Sequence, residues 1–240
     1  WLLLVVFSCA RSLDVDVVVP VGPNDMKRFT ALVKTCEPVF AHGDFVRATV
    51  VADEMYADKY RAIVRVYGSD IWQVMDEGDL IPAYKRTPVL RHPNGWVRQM
   101  DVKLHYLALR GAPIVVVMDA DSLCASSNGW LRYRKLLMDK IPLCLEKTVY
   151  NPPYGNAIAT ARTLNIGHID VGKGLMGWTP QVLSRPAFQG VLAREPGLLG
   201  VLKAAWRTRD CKITTRCWTE YYVYQWLLDK HNLTDSVHRV

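Results

Sequence analysis

The chain has 240 residues, half of them hydrophobic and 22% charged, with 30 Lys and Arg against 23 Asp and Glu for a formal net charge of +7. That length supports one domain with a core large enough for an α/β fold, and the mix excludes a disordered chain. The basic balance favours anionic ligands such as nucleotide diphosphates, acidic glycans or membrane headgroups, or is a mildly basic solvated surface; no Lys/Arg run alternates with exposed aromatics, which argues against nucleic acid.

Residues 1–7 form a continuous apolar run, followed by Ser8-Cys9-Ala10 and Arg11. Over residues 1–10 this reads as the remnant of a secretory signal peptide or signal anchor, too short to span a bilayer as it stands, with an extra strand as the other reading. A membrane contact is expected only through such an anchor. Asn232-Leu233-Thr234 is an N-glycosylation sequon, which agrees with the ER or Golgi lumen. A cytoplasmic location is expected if the apolar run does not target. Of the six cysteines, Cys211 and Cys217 are spaced to close a small loop in an oxidising lumen; buried free thiols are the alternative.

Val-rich residues 15–21 read as a first buried strand, ending in the turn Pro20-Val21-Gly22-Pro23, where glycine gives the backbone close access to a ligand. Asn24 or Asp25 is placed to cap a helix over 26–36, with Phe29, Leu32, Val33 and Cys36 at helical spacing. Residues 46–52 form a second strand. Asp53 after it either caps the helix 54–64 or hydrogen-bonds a base or ribose, as the acid after the second strand does in Rossmann folds; the two roles are compatible. A short third strand is predicted over 70–74. A long irregular stretch through Pro82, Pro88 and Pro93 follows, expected near the site. Residues 97–109 are a helix with Val97, Met100, Leu104, Leu107 and Ala108 on one face; pattern alone makes Lys103 a solvated helix lysine and His105 a surface histidine.

The stretch that organises the chain comes next. After the turn signal Gly111-Ala112-Pro113, the apolar run from Ile114 to Met118 reads as a strand buried on both faces. It ends in Asp119-Ala120-Asp121. Ligands of open α/β sheets bind beyond the carboxyl ends of strands, and two hard oxygen donors there suit Mn²⁺ or Mg²⁺ completed by the phosphates of a ligand. Further on, Ser126, Ser127 or Asn128 is placed to cap a helix over 129–138. An apolar segment spans 141–145. A turn-rich loop over 151–156 presents Tyr154 and Asn156, by turn chemistry or as sugar contacts. Thr219 caps an aromatic helix whose first turn carries Glu220. A last strand is predicted over 235–240.

The segment Lys103-Leu104-His105 leading into Met118-Asp119-Ala120-Asp121-Ser122-Leu123 resembles the glycogenin-like retaining glycosyltransferases, family eight, which have the GT-A fold. The match covers about a tenth of the chain. The resemblance implies a GT-A, Rossmann-like α/β fold: a mixed, mostly parallel sheet flanked by helices, spanning 13–240 and incomplete at its C-terminus. It also implies a metal-dependent transfer of a sugar from a nucleoside diphosphate sugar, the UDP-sugar class foremost, to an acceptor hydroxyl on a glycan, protein or lipid. The residues it nominates for the donor are Pro20, Val21, Gly22, Asp53, Lys103, Asp119, Ala120, Asp121 and Gly172. Asp119, Asp121 and His238 are nominated for the metal, with His231 as the competitor for the third place, and Glu220 and Asp170 for catalysis. Asp170-Val171-Gly172-Lys173-Gly174 resembles the family's Gly-containing strand before a Pro-capped helix at Pro180, but departs from its usual Asn-Ser/Ala-Gly. Glu220 likewise stands where the family has Asp-Gln.

Two other readings remain. Asp119-Ala120-Asp121-Ser122-Leu123 also resembles the DxDxT motif of haloacid-dehalogenase phosphatases, whose first Asp is a nucleophile. That motif ends a first strand, and here at least two strand–helix units precede it. A non-catalytic carbohydrate-binding relative of the same fold is the second alternative.

Overall fold

The computed structural model describes residues 13–41, 44–86, 95–124, 141–142, 145–146, 154–167, 175–176, 180–205 and 217–239. In chain order these give β1 (Val15–Val21), α1 (Met26–Phe40), β2 (Phe45–Ala52), α2 (Glu54–Tyr67), β3 (Trp72–Asp76), two short helices α3 (Glu77–Leu80) and α4 (Pro82–Arg86), α5 (Gly95–Leu109) and β4 (Ile114–Val117). There follow β5 (Ile141–Pro142), β6 (Leu145–Glu146), α6 (Tyr154–Leu164), β7 (Leu175–Met176), β8 (Gln181–Ser184), α7 (Arg185–Arg194), α8 (Leu198–Ala205), α9 (Glu220–Lys230), α10 (Thr234–Val237) and β9 (His238–Arg239).

The central sheet has the order β3-β2-β1-β4-β8. Its first four strands are parallel and β8 runs antiparallel to β4. This is the mixed, mostly parallel sheet flanked by helices that the resemblance implies for a GT-A fold. Strand periodicity sorts the valines onto two faces. Val18, Val115 and Val117 join the core beneath α5, α7 and α9, while Val17, Val19 and Val116 join the core beneath α1 and α2. Each such fully buried side chain contributes roughly 1.5–3 kcal/mol relative to exposure.

One polar residue interrupts the valines. Asp16 is fully buried in β1, and its Oδ2 accepts from Arg47 Nη2 at 3.1 Å, the Tyr106 hydroxyl at 3.1 Å and the Ala112 N–H at 3.0 Å. Gly111 makes the turn above it at φ +93, and a Cβ there would lie 3.3 Å from Asp16 Oδ2. Burial pushes the Tyr106 phenol up to about 12. This network fixes the amino-terminal edge of the sheet, opposite the edge where the acids lie.

Several local expectations shift. Helix α1 continues past Cys36 to Phe40 because Val39 and Phe40 are buried, even though Pro38 inside it can give no N–H to the carbonyl of Lys34. The Asp25 carbonyl accepts the Phe29 N–H of α1 at 2.7 Å, but its side chain caps no N–H of the helix; its carboxylate accepts the Gly22 N–H at 2.8 Å. The stretch after Asp79 is less irregular than expected, since Tyr84 is buried on α4; residues 87–94 lie outside the described residues. Residues 154–156 open helix α6 rather than close a loop. No helix starts at Pro180: Gln181–Ser184 are all buried and pair with β4 as β8, and the Pro-started helix is α7, one element later. The terminal strand is reduced to His238–Arg239, paired with β5 and preceded by α10. The predicted helix over 129–138 lies outside the described residues.

Cys36, buried in α1, is bonded to Cys124, which stands just beyond the β4 turn. Spacing gave no hint of this pairing, since 88 positions separate the two. Cys217 is also disulfide-bonded, and Cys211 lies outside the described residues. No helix among the described residues is long and apolar enough to cross a membrane.

Candidate active site

Because β1 to β4 are parallel, their carboxyl ends share one edge of the sheet, and the acids and the glycine turn singled out in the sequence gather there. Pro20 and Val21 are themselves buried within β1, so only Gly22 stands past the strand. Its N–H is held by Asp25 and its carbonyl accepts the Tyr60 hydroxyl, which ties the turn to α2.

Asp53, at the end of β2, caps α2. Its Oδ1 accepts the Met55 N–H at 3.2 Å, and its Oδ2 lies 3.3 Å from Arg98 Nη2. The same Arg98 nitrogen lies 3.1 Å from Glu77 Oε1 at the end of β3. Arg98, on the first turns of α5, therefore bridges the ends of two neighbouring strands. Sequence reading passed over it, because its two partners stand 45 and 21 positions away and nothing local marks the residue.

Beyond β4 the Met118 N–H bonds Val18 O at 3.0 Å, carrying the pairing with β1 one residue further. The Ser122 N–H then bonds Asp119 O at 3.0 Å and closes the turn. Ala120 is buried against the core, Asp119 is half-buried and Asp121 is exposed. The small residue between the acids thus lets the turn lie flat while both carboxylates stay at the surface of the edge.

Lys103 is not the solvated lysine that the helix pattern suggests. Its side chain is 5% exposed, and its ammonium lies 2.9 Å from Asp119 Oδ1, 2.8 Å from Glu220 Oε1 and 3.4 Å from the Tyr221 hydroxyl. The Tyr221 ring also sits 5.2 Å beneath the charge. Burial works against the ammonium, but the facing Glu220 carboxylate, with Tyr221 and Asp119, outweighs it and holds the lysine pKa well above its usual value. Burial raises the Tyr221 phenol, so it stays protonated. Glu220 is buried in the first turn of α9 behind the Thr219 cap, whose Oγ1 accepts the Tyr222 N–H. An acid at that position also complements the helix dipole. Lys103 therefore joins the end of β4 to the start of α9.

His238 is buried, with Nε2 at 2.7 Å from the Tyr224 hydroxyl, which itself accepts the Ser184 N–H at 2.8 Å. His231 Nε2 lies 3.1 Å from Glu195 Oε1, beside Lys230. Among the described residues no three His, Cys, Asp or Glu side chains form a group able to hold a metal ion. Asp53 and Glu77 on the same edge are paired with Arg98, and the donors that the structure places beyond β4 are the Asp119 and Asp121 carboxylates. As a donor set they fit a hard divalent cation that takes its other ligands from water and phosphate oxygens. Asp170 and Gly172 lie outside the described residues.

Comparison with solved structures finds distant likenesses. The chain is similar to the 4-diphosphocytidyl-2C-methyl-D-erythritol synthase of Anaerococcus prevotii, with 10% identity and a TM-score of 0.49 over 95% of this chain and 87% of that one. It is similar to mannosyl-3-phosphoglycerate synthase from Rubrobacter xylanophilus, with 15% identity and a TM-score of 0.46, over 79% of this chain and 63% of that one. Glucosyl-3-phosphoglycerate synthase from Mycobacterium tuberculosis, solved with Mn²⁺, UDP and glucosyl-3-phosphoglycerate, gives 16% identity and a TM-score of 0.46 over 79% of this chain and 67% of that one. No curated protein matches the sequence. The family that matches is not the glycogenin-like one its motifs resemble. Residues 13–240 match the family of unknown function DUF6492, and the chain belongs to that family.

Proposed function

We propose that this chain is a metal-dependent glycosyltransferase, moving a sugar from a nucleoside diphosphate sugar, the UDP-sugar class foremost, to an acceptor hydroxyl on a glycan, protein or lipid. The observation that carries the reading is the position of Asp119-Ala120-Asp121. It follows β4, a central strand with β1 beside it, on the same sheet edge as Gly22 and Asp53. A cleft outside the carboxyl ends of parallel strands is where such sheets hold nucleotides. The phosphatase reading needs the motif after the first strand, and three strands precede it here.

Asp119 and Asp121 would hold Mn²⁺ or Mg²⁺, which when bound would offset the charge that develops on the departing diphosphate. The protein's own part is to place charge around that centre. Lys103 supplies a fixed, buried positive charge within 2.9 Å of Asp119. Gly22 follows the neighbouring strand β1, with its N–H held by Asp25 and its carbonyl by Tyr60. Glu220 sets a carboxylate on the Lys103 ammonium from the start of α9, where it is offered as the residue facing the reacting sugar. Retention of anomeric configuration, a catalytic part for Asp170 and a donor contact for Gly172 follow from the family-eight resemblance. The resemblance also nominates His238 for the metal, but His238 is hydrogen-bonded to Tyr224 and, among the described residues, forms no three-ligand group with Asp119 and Asp121. The Cys36–Cys124 bridge supports placing the protein in the oxidising lumen of the secretory pathway.

The test is calorimetric titration of UDP into the protein with Mn²⁺ and with EDTA, for wild type and Asp121→Ala. Binding that requires the metal and is lost in the variant is the expected result. No binding of uridine or guanosine diphosphate under any metal condition would remove the donor site.

A further inference from the structure

We infer that Lys103 is an internal counter-cation which weakens metal binding at Asp119 until a diphosphate is bound, so that metal and nucleotide load together. This rests on the donor-site reading above. An ammonium has three N–H bonds to give, and Lys103 has three oxygens within reach: Asp119 Oδ1 at 2.9 Å, Glu220 Oε1 at 2.8 Å and the Tyr221 hydroxyl at 3.4 Å. The charge is thus offset from within the protein: Glu220 and Tyr221 accept hydrogen bonds from the ammonium, and Asp119 Oδ1 forms a close ion pair with it.

The three partners are not equal. Glu220 is 5% exposed and set in the first turn of α9, whereas Asp119 is 34% exposed and sits at the open end of β4. Of the two carboxylates, Asp119 is the one that solvent and ligand can reach, although its paired Oδ1 is itself buried. A divalent cation approaching Asp119 in this state meets a carboxylate whose charge Lys103 already offsets. A metal arriving alone must bind against that ammonium, which among the described residues has only Glu220 as another anionic partner. A metal arriving with a diphosphate brings the anion with it: the ammonium turns from Asp119 to a phosphate oxygen, keeping Glu220 and Tyr221, and Asp119 is released to the metal. The two ligands then favour each other through one lysine. By linkage, the factor by which diphosphate tightens metal must equal the factor by which metal tightens diphosphate.

The experiment measures Mn²⁺ affinity by electron paramagnetic resonance of the free ion, with and without UDP, in wild type, Lys103→Met and Glu220→Gln. In wild type, UDP is expected to tighten Mn²⁺ on the order of tenfold or more, and Mn²⁺ to tighten UDP equally. Lys103→Met is expected to bind Mn²⁺ alone more tightly than wild type does, to bind UDP more weakly, and to lose most of the coupling. In Glu220→Gln the lysine has only Asp119 as a charged partner, so Mn²⁺ alone should bind more weakly than in wild type while UDP still tightens it. This second variant keeps the test decisive if Lys103→Met does not fold. Coupling of equal size in wild type and Lys103→Met, or unchanged Mn²⁺ affinity in Glu220→Gln, overturns the inference and leaves the donor site standing. Absence of both Mn²⁺ and UDP binding from wild type overturns the donor site itself, and the inference with it.

Discussion

Replacing Cys36 and Cys124 together by alanine removes the one covalent link between α1 and the turn that carries Asp119 and Asp121. The bridge spans 88 positions. Chain-entropy reasoning for a closed loop of that length gives about 4.6 kcal/mol of stabilisation at room temperature. Between α1 and the turn, the hydrogen bond from the Cys124 N–H to Thr35 Oγ1 at 3.3 Å stays in place, worth about 1 kcal/mol. The double variant is therefore expected to lose much of its global stability and to hold the acid turn less firmly. Urea unfolding followed by tryptophan fluorescence checks the first part. With a denaturant slope of about 3 kcal/mol per molar, the midpoint should fall by about 1.5 M. The double variant is preferable to a reducing agent, which would also open the bridge at Cys217. A midpoint that moves by less than about 0.5 M would refute the loop-closure reasoning. The same variant titrated with UDP and Mn²⁺ should show weaker binding, because Asp121 lies three positions before Cys124 in the sequence.

Three further changes test the packing of the fold. Tyr224→Phe leaves the Ser184 N–H and the His238 imidazole without the hydroxyl that joins them, and each buried group left unsatisfied costs about 1–3 kcal/mol, so urea unfolding should shift by a few kcal/mol. Asp16→Ala strips Arg47, Tyr106 and the Ala112 N–H of their shared acceptor and should destabilise by roughly 3–5 kcal/mol in the same assay, with the secondary structure of the folded protein unchanged by circular dichroism. His105 Nδ1 lies 3.0 Å from Asp101 Oδ1; burial disfavours its charge, yet Asp101 outweighs burial and raises its pKa above the usual value. Protonation of His105 therefore stabilises the fold fully below about pH 6.5, the unfolded value, and this contribution is lost as pH rises through the folded pKa. The stability gap between wild type and His105→Gln should be wider at about pH 5.5 than at about pH 9, and a gap that widens with rising pH would contradict the Asp101 pairing.

The sheet was legible in the sequence because its strands are written in local chemistry. Parallel strands covered on both faces need near-continuous apolar runs, and Val15–Val21, broken only at Asp16, and Ile114–Val117 are such runs between turn residues. The Thr219 cap and the Asp53 cap were legible for the same reason, since a cap is made within three residues of its own helix. The position of Asp119 and Asp121 at a strand end followed from the break in the apolar run. Elements that failed were those where tertiary burial overrides a local cue. Pro180 looked like a helix start, but Gln181–Ser184 found an open edge beside β4 and became a strand. The Lys103 partnership was out of reach. A lysine on a helix reads as solvated unless two acids meet it, and Glu220 stands 117 positions further along the chain. The same holds for Arg98 between Asp53 and Glu77, and for Cys36 with Cys124. Sequence alone determined the strands, the caps and the acid turn, because short-range sterics and burial patterns decide them. Only the tertiary structure decided which charges face one another at the carboxyl edge, because that depends on strand order and on distances that no local pattern encodes.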